Sequence, residues 1–62
     1  MGSRLTEEIG RALRMRREKA GWSQGKLARV AGTSQQCVSR IERGRQAPGT
    51  ETLERLFAVL GW

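Results

Sequence analysis

The sequence contains no histidine, no aspartate and no tyrosine, and it has only one cysteine and one proline. Without histidine, and with Cys37 as the only thiol, the side chains that usually form a zinc cluster or a nucleophile–base pair are missing. A lone cysteine also cannot form an intramolecular disulfide, which favours a reducing, cytoplasmic location. We therefore expect no enzymatic activity, no bound metal and no cofactor.

Long apolar runs are missing as well. No run approaches the roughly 20 residues that span a membrane, and the N-terminus lacks the apolar core of a signal peptide. One alternative is a peptide that lies on a membrane surface through its arginine-rich N-terminal helix. The apolar face of that helix lacks bulky aromatic residues, so we expect no membrane association.

Acidic residues are few, because the chain has six of them against 12 lysines and arginines. The net charge is +6 and the isoelectric point is about 11.4. A chain of 62 residues is one domain at most, and a domain of this size buries only roughly 60% of its unfolded surface. Such a basic small domain is typical of proteins that bind nucleic acid, although a basic surface can also serve solubility alone.

Glycines and capping residues alternate along the chain and divide it into four segments. Glycine at the end of a segment can adopt the left-handed conformation that ends a helix, and serine or threonine before a segment can cap its first turn. No segment shows the alternation of a strand, and Pro48 lies in the last linker. We predict an all-α domain over residues 1–62, with helices at 5–20, 24–31, 35–43 and 51–60. The predicted caps are Ser3 or Thr6, Ser23, Ser34 and Thr50, and the predicted terminating glycines are Gly21, Gly32, Gly44 and Gly61.

Apolar residues recur at helical spacing in each segment, which predicts one small core shared by the four helices. The predicted core residues are Leu5, Ile9, Ala12, Leu13, Leu27, Ala28, Ala31, Val38, Ile41, Leu53, Leu56, Phe57 and Leu60.

The second and third helices are separated by a tight turn that contains Gly32. This arrangement is typical of a helix-turn-helix unit, here residues 24–43. On the third helix, Val38 and Ile41 define the buried side at about 100° per residue. Glutamine can pair with adenine and arginine with guanine in the major groove, so the outward residues suit base recognition. The alternative is a solvated face, but adjacent glutamines favour recognition. The predicted base-contacting residues are Gln35, Gln36, Ser39 and Arg40.

The residues of this unit and their spacing are similar to those of the Cro/C1-type (Xre) helix-turn-helix family. The sequence resembles most closely the lambda-repressor-like domains of lambdoid phage repressors and Cro proteins, from about Ile9 to Gly61. The residues that carry the resemblance are Ser23, Gln24, Leu27, Ala28, Gly32, Ser34, Val38, Ser39, Glu42, Gly44, Pro48 and Leu53, and the stretch Gly32-Thr33-Ser34-Gln35-Gln36. The family's fold is a compact bundle of four helices, or four plus a short C-terminal turn.

The resemblance implies a sequence-specific, double-stranded-DNA-binding transcriptional repressor whose third helix, residues 35–43, enters the major groove of an operator. It implies that Gln35 reads adenine and that Gln24 contacts a phosphate and braces Gln35. Arg43 and Arg45 match the segment that follows the sugar-phosphate backbone. Ser23 lies at a helix N-terminus, where free N–H groups favour phosphate.

The resemblance also implies that Arg17 and Glu42 form a structural ion pair rather than DNA contacts. We interpret the basic stretch 11–19 mainly as a solvated helix face. The alternative is direct DNA contact, in which some of Arg11, Arg14 and Lys26 add charge for the phosphates. Many family members have a fifth helix that forms a dimer interface beyond the point where this chain stops, so Trp62 is an alternative contact surface. The sequence is compatible with a homodimer on DNA, and with an antitoxin or adaptor that acts mainly through a protein partner.

Overall fold

The computed structural model describes residues 3–61, which form four α-helices and no strand. The helices are α1 (Arg4–Lys19), α2 (Gln24–Ala31), α3 (Gln35–Glu42) and α4 (Thr50–Leu60). The predicted all-α fold is confirmed, and the predicted bounds agree to within one residue. The third helix ends at Glu42 rather than Arg43, because Arg43 is its C-cap. Trp62, for which we considered a contact role, lies outside the described residues.

Serine side chains start three of the four helices. The hydroxyls of Ser3, Ser23 and Ser34 accept hydrogen bonds from backbone N–H groups three residues further on, at 3.0–3.1 Å. The prediction of Thr50 as the cap of the last helix is wrong. Gly49 occupies the cap position in extended conformation without a side-chain hydrogen bond, and Thr50 is already the first helical residue. Glycine is itself an acceptable N-cap, which explains the difference.

The core lies where α1, α2, α3 and α4 meet, and all its buried members were predicted. They are Leu13, Leu27, Ala28, Ala31, Val38, Ile41 and Leu56. Two predicted core residues are instead exposed, Leu5 by 66% and Phe57 by 43%. Leu5 lies in the first turn of α1, about 80° around the helix from Leu13, and Phe57 is rotated about 100° from Leu56. The apolar stripes of these helices are therefore wider than the surfaces that bury them.

The crossing of α1 and α3 depends on close backbone contact at Gly10. This glycine is buried inside α1, and a Cβ atom at this position would overlap the Ile41 carbonyl oxygen. Glycine costs about 1 kcal/mol relative to alanine in a helix interior, so its presence here is explained by the approach of α3 rather than by α1 itself. The contact determines how near α3 lies to α1, and hence which way its outer side faces.

The end of α3 meets α1 at a second glycine. Gly44 is buried and has a φ of 74°, and an added Cβ would lie 2.9 Å from the Cγ of Glu7. A residue with a side chain would be both strained by the left-handed backbone and too close to α1. The chain can therefore turn away from α3 here only with glycine.

Candidate nucleic-acid interface

The turn between α2 and α3 is closed by backbone hydrogen bonds and by a side chain from α4. Gly32 has a φ of 72°, and the N–H of Thr33 donates to the Ala28 carbonyl at 2.8 Å. Arg55 of α4 donates from Nη1 to the Gly32 carbonyl at 3.2 Å. The relative orientation of α2 and α3 is thus fixed from both sides, with Val38 and Ile41 fully buried beneath the third helix.

The outer side of α3 opens onto a shallow depression with a volume of about 740 Å³. It brings together the four predicted base-contacting residues and three of the four predicted phosphate-contacting residues. We refer to the following lining residues as the α3 surface: Gln24, Gln35, Gln36, Ser39, Arg40, Arg43 and Arg45. The remaining predicted phosphate contact, Ser23, does not line it, and the Ser23 hydroxyl accepts the Lys26 N–H as the cap of α2.

The charges of the α3 surface are all positive and uncompensated. Arg40, Arg43 and Arg45 are exposed, and none of them forms an ion pair with any residue between 3 and 61. Gln35 and Gln36 are exposed too, and their amides make no hydrogen bond within the same range. The α3 surface therefore offers free hydrogen-bond donors and acceptors together with positive charge. This combination suits a polyanion that presents donors and acceptors of its own, such as a nucleic acid.

Behind the α3 surface, Glu42 is the centre of a buried polar network. Its carboxylate accepts Arg17 Nε at 2.6 Å and Arg17 Nη2 at 3.1 Å, in the two-point geometry of a strong arginine–carboxylate pair. Arg17 also donates from Nη1 to the Trp22 carbonyl at 2.7 Å. The side chains of Glu42 and Arg17 are only 3% and 11% exposed. The network links the end of α3 to α1 and to the loop before α2.

The hydrogen bond to Glu42 raises the pKa of Arg17 above the ordinary value of arginine, although burial acts in the opposite direction. The contact with Glu42 therefore favours the charged form of Arg17. Because this charge lies against Glu42, the carboxylate that α3 itself carries is neutralised. The surface keeps its positive potential despite an acidic residue in α3 itself.

Gln24 is the residue whose contacts differ most from those that the family resemblance implies. The resemblance implies that Gln24 braces Gln35, but in the structure its amide nitrogen donates to Glu42 Oε1 at 3.0 Å. The Gln35 side chain lies instead against the first turn of α2, where an added Cβ at Gly25 would be 3.5 Å from Gln35 Oε1. The sequence predicts no role for Gly25. A glycine inside a helix is unfavourable, however, and its presence could have indicated a close contact at this position.

Trp22 and Cys37 are both partly buried and pack against the core. Trp22 also lies under Lys26, whose Nζ is 4.8 Å from the ring centroid, in cation–π geometry. The Cys37 sulfur is contacted by the Gln46 amide nitrogen at 3.7 Å. Neither residue lines the α3 surface, so neither is placed for base stacking or direct recognition.

Within residues 3–61, no helix is long and apolar enough to cross a membrane. The same part of the chain contains no group of three or more cysteine or glutamate residues that could hold a metal ion.

The chain matches the helix-turn-helix domain family over residues 8–62. Among curated proteins, the chain is 41% identical over 49 residues to the competence pilus inhibition repressor of Acinetobacter baylyi, covering 79% of this chain and 44% of that protein. It is 42% identical over 45 residues to an uncharacterised HTH-type transcriptional regulator of Haemophilus influenzae, covering 73% and 46%. The chain thus spans less than half the length of these relatives.

Among solved structures, the chain is similar to the clp gene regulator ClgR from Corynebacterium glutamicum. The two superimpose with a TM-score of 0.89 at 33% sequence identity, over 98% of this chain and 65% of that one. Nearly every described residue therefore has a counterpart in a gene regulator of known structure.

Proposed function

We propose that this chain, which belongs to the helix-turn-helix domain family, is the sequence-specific DNA-binding domain of a transcriptional repressor. One observation carries the proposal. The α3 surface presents unpaired glutamines and unpaired arginines on the outer side of a helix whose inner side is fully buried. Relatives of this chain include a named repressor and named transcriptional regulators, which supports the same function.

In this proposal α3 enters the major groove and reads base edges. Gln35 and Gln36 lie in its first turn, where a recognition helix approaches the bases, and each amide can pair with adenine through N6 and N7. Arg40 lies one turn further on and can pair with guanine through O6 and N7. Ser39 is short and half-buried, which lets the DNA come close to the helix between the longer side chains.

Phosphate contacts position the helix without reading sequence. The N-terminus of α2 offers free N–H groups near Ser23 and Gln24. The Gln24 amide nitrogen carries two hydrogens, of which Glu42 takes one, so the second is free to bind a phosphate oxygen. Arg43 and Arg45 follow α3 in the chain, are exposed, and supply charge for the backbone on the other side of the groove.

We further propose that the protein works in the cytoplasm, where its DNA is, and that two copies bind one operator. Dimers of helix-turn-helix proteins read half-sites about one helical turn apart, so a dimer would select a symmetric site. A single copy would select one unrepeated site.

Selection of bound sequences from a random pool of duplexes tests the function directly. We expect enrichment of a short consensus, and a symmetric pair of half-sites if the dimer forms. The matched control is the triple variant Gln35→Ala, Gln36→Ala, Arg40→Ala, which should keep its helical circular dichroism and enrich no consensus. If the unmodified protein binds all duplexes equally, or binds none while it captures a protein partner in stoichiometric amount, the proposal is wrong.

A further inference from the structure

Two more depressions continue the α3 surface towards α1. The first, of about 220 Å³, shares Gln24, Ser39 and Arg43 with that surface and adds Arg14 of α1. The second, of about 250 Å³, shares Arg14 and Arg43 with the first and extends to Arg11 and Glu7. Because neighbouring depressions share lining residues, they lie side by side from the outer side of α3 to the exposed side of α1. We call the part between Arg43 and Arg11 the α1 groove.

The α1 groove is positively charged on balance, because four arginines and two glutamates, Glu7 and Glu42, line its two depressions. Arg17 and Glu42 at its base neutralise each other, and Arg11 and Arg43 have no ion-pair partner among residues 3–61. Arg14 pairs with Glu18 at 3.2 Å, but the two side chains are 64% and 55% exposed. Exposed pairs of this kind contribute little to stability, so a stronger anion can displace Glu18 at small cost.

The basic residues of α1 fall on two different sides of the helix. Arg16 and Lys19 line a separate depression with Ala12 and Met15. They lie about 200° and 140° around the helix from Arg14, which at about 100° per residue places them away from α3. The position of Arg11 and Arg14 in the groove that joins the α3 surface favours, for these two residues, the alternative of DNA contact over a solvated face.

We propose that the α1 groove binds the DNA backbone next to the segment that α3 reads, with Arg14 and Arg11 contacting phosphates. This inference rests on the proposed function, since it assumes that α3 lies on duplex DNA. Glu18 then competes with phosphate for Arg14, and the ion pair of the free protein opens when DNA binds. The protein then contacts, through α1, at least one phosphate that the helix-turn-helix unit does not reach.

Two variants with equal charge change test the groove. Arg14→Gln and Lys19→Gln each remove one positive charge from the exposed surface of α1. For Arg14→Gln we expect weaker duplex binding by several-fold and a salt dependence whose log–log slope is smaller by about 0.9, the value for one phosphate. For Lys19→Gln we expect nearly unchanged affinity and slope. Thermal unfolding of both variants, followed by circular dichroism, checks that they fold alike.

A second pair of variants tests the competition. Glu18→Gln should tighten DNA binding several-fold more than Glu8→Gln, an equal charge change on an exposed α1 residue that is not paired with Arg14. In the Arg14→Gln background, the two substitutions should have the same effect. Equal slopes for Arg14→Gln and Lys19→Gln would overturn the α1 groove while leaving the proposed function intact. Failure of the unmodified protein to bind any duplex would overturn both.

Discussion

The two sides of α3 differ in how many contacts their residues make inside the protein. On the inner side, Val38 and Ile41 are 0% exposed, and Glu42 receives three hydrogen bonds. On the outer side, Gln35 and Arg40 are exposed, and their side chains make no hydrogen bond with residues 3–61. A helix of only eight residues thus separates support from recognition. We therefore expect substitutions on the inner side of α3 to change stability and substitutions on its outer side to change DNA binding.

The largest effect should come from breaking the inner network at Glu42. Glu42→Ala leaves the Arg17 guanidinium buried and without its carboxylate, which typically destabilises a protein by about 3–5 kcal/mol. In a domain of this size that is a large part of the whole stability. Urea unfolding of Glu51→Ala is the control, because Glu51 pairs with Arg55 at the surface and is 79% exposed. Similar losses for both variants would contradict the inner role of Glu42.

The next effect concerns the backbone contact under α3. Gly10→Ala should destabilise the domain by about 1–3 kcal/mol, since its Cβ overlaps the Ile41 carbonyl oxygen and α3 must move. Gly25→Ala is the matched control within a helix. Its Cβ would meet the side chains of Gln35 and Ser23 at ordinary contact distances, so stability should rise by up to about 1 kcal/mol. Equal unfolding temperatures for the two variants would show that α1 and α3 do not meet as described.

Gln35→Ala tests the outer side. It should change the free energy of unfolding by less than about 0.5 kcal/mol, because the side chain is exposed. Discrimination at one adenine position should fall by about 1–3 kcal/mol, measured as the ratio of affinities for the selected duplex and its single-pair variants. A loss of stability without a loss of discrimination would reverse the assignment of the two sides.

Arg45→Ala should separate phosphate contact from base recognition on the same outer side. We expect all duplexes to bind more weakly by a similar factor, with a log–log salt slope smaller by about 0.9. Selectivity among duplexes should not change. If Arg45→Ala alters the selected consensus as Gln35→Ala does, the division between base and phosphate contacts is wrong.

The smallest effect is expected at Cys37, on the boundary between the two sides. It is half-buried and has only a long contact from Gln46, so Cys37→Ser should leave DNA affinity unchanged and reduce stability slightly. Affinity measured with and without reductant should be the same for both proteins. A reductant-dependent affinity in the unmodified protein alone would give this cysteine a regulatory role that the structure does not suggest.

Features that depend on residues close together in the sequence were predictable. The four helices, three serine caps and the left-handed glycines follow from local rules, and the family membership predicted from the motif positions is confirmed. The exposed Leu5 and Phe57 were not predicted, because a helical stripe shows which residues are apolar and not how much of the helix its neighbours cover.

Contacts between distant residues were the harder part. The hydrogen bond from Gln24 to Glu42 joins residues 18 apart, and the contact of Gly10 with Ile41 joins two helices that are not adjacent in the chain. The sequence shows a glutamine that can bond to several partners and a glycine that weakens a helix. Only the packed structure shows which partner the glutamine has and why the glycine is needed.

The contact at Gly10 has a consequence for engineering. Because backbone rather than side chains sets the spacing of α1 and α3 there, the tilt of the reading helix does not depend on the volume of any outward residue. A combinatorial library that varies positions 35, 36, 39 and 40 would therefore keep one scaffold geometry across its members. Differences in binding among its members would then report base preference directly. The domain would serve as a small scaffold whose DNA sequence preference can be changed at four positions.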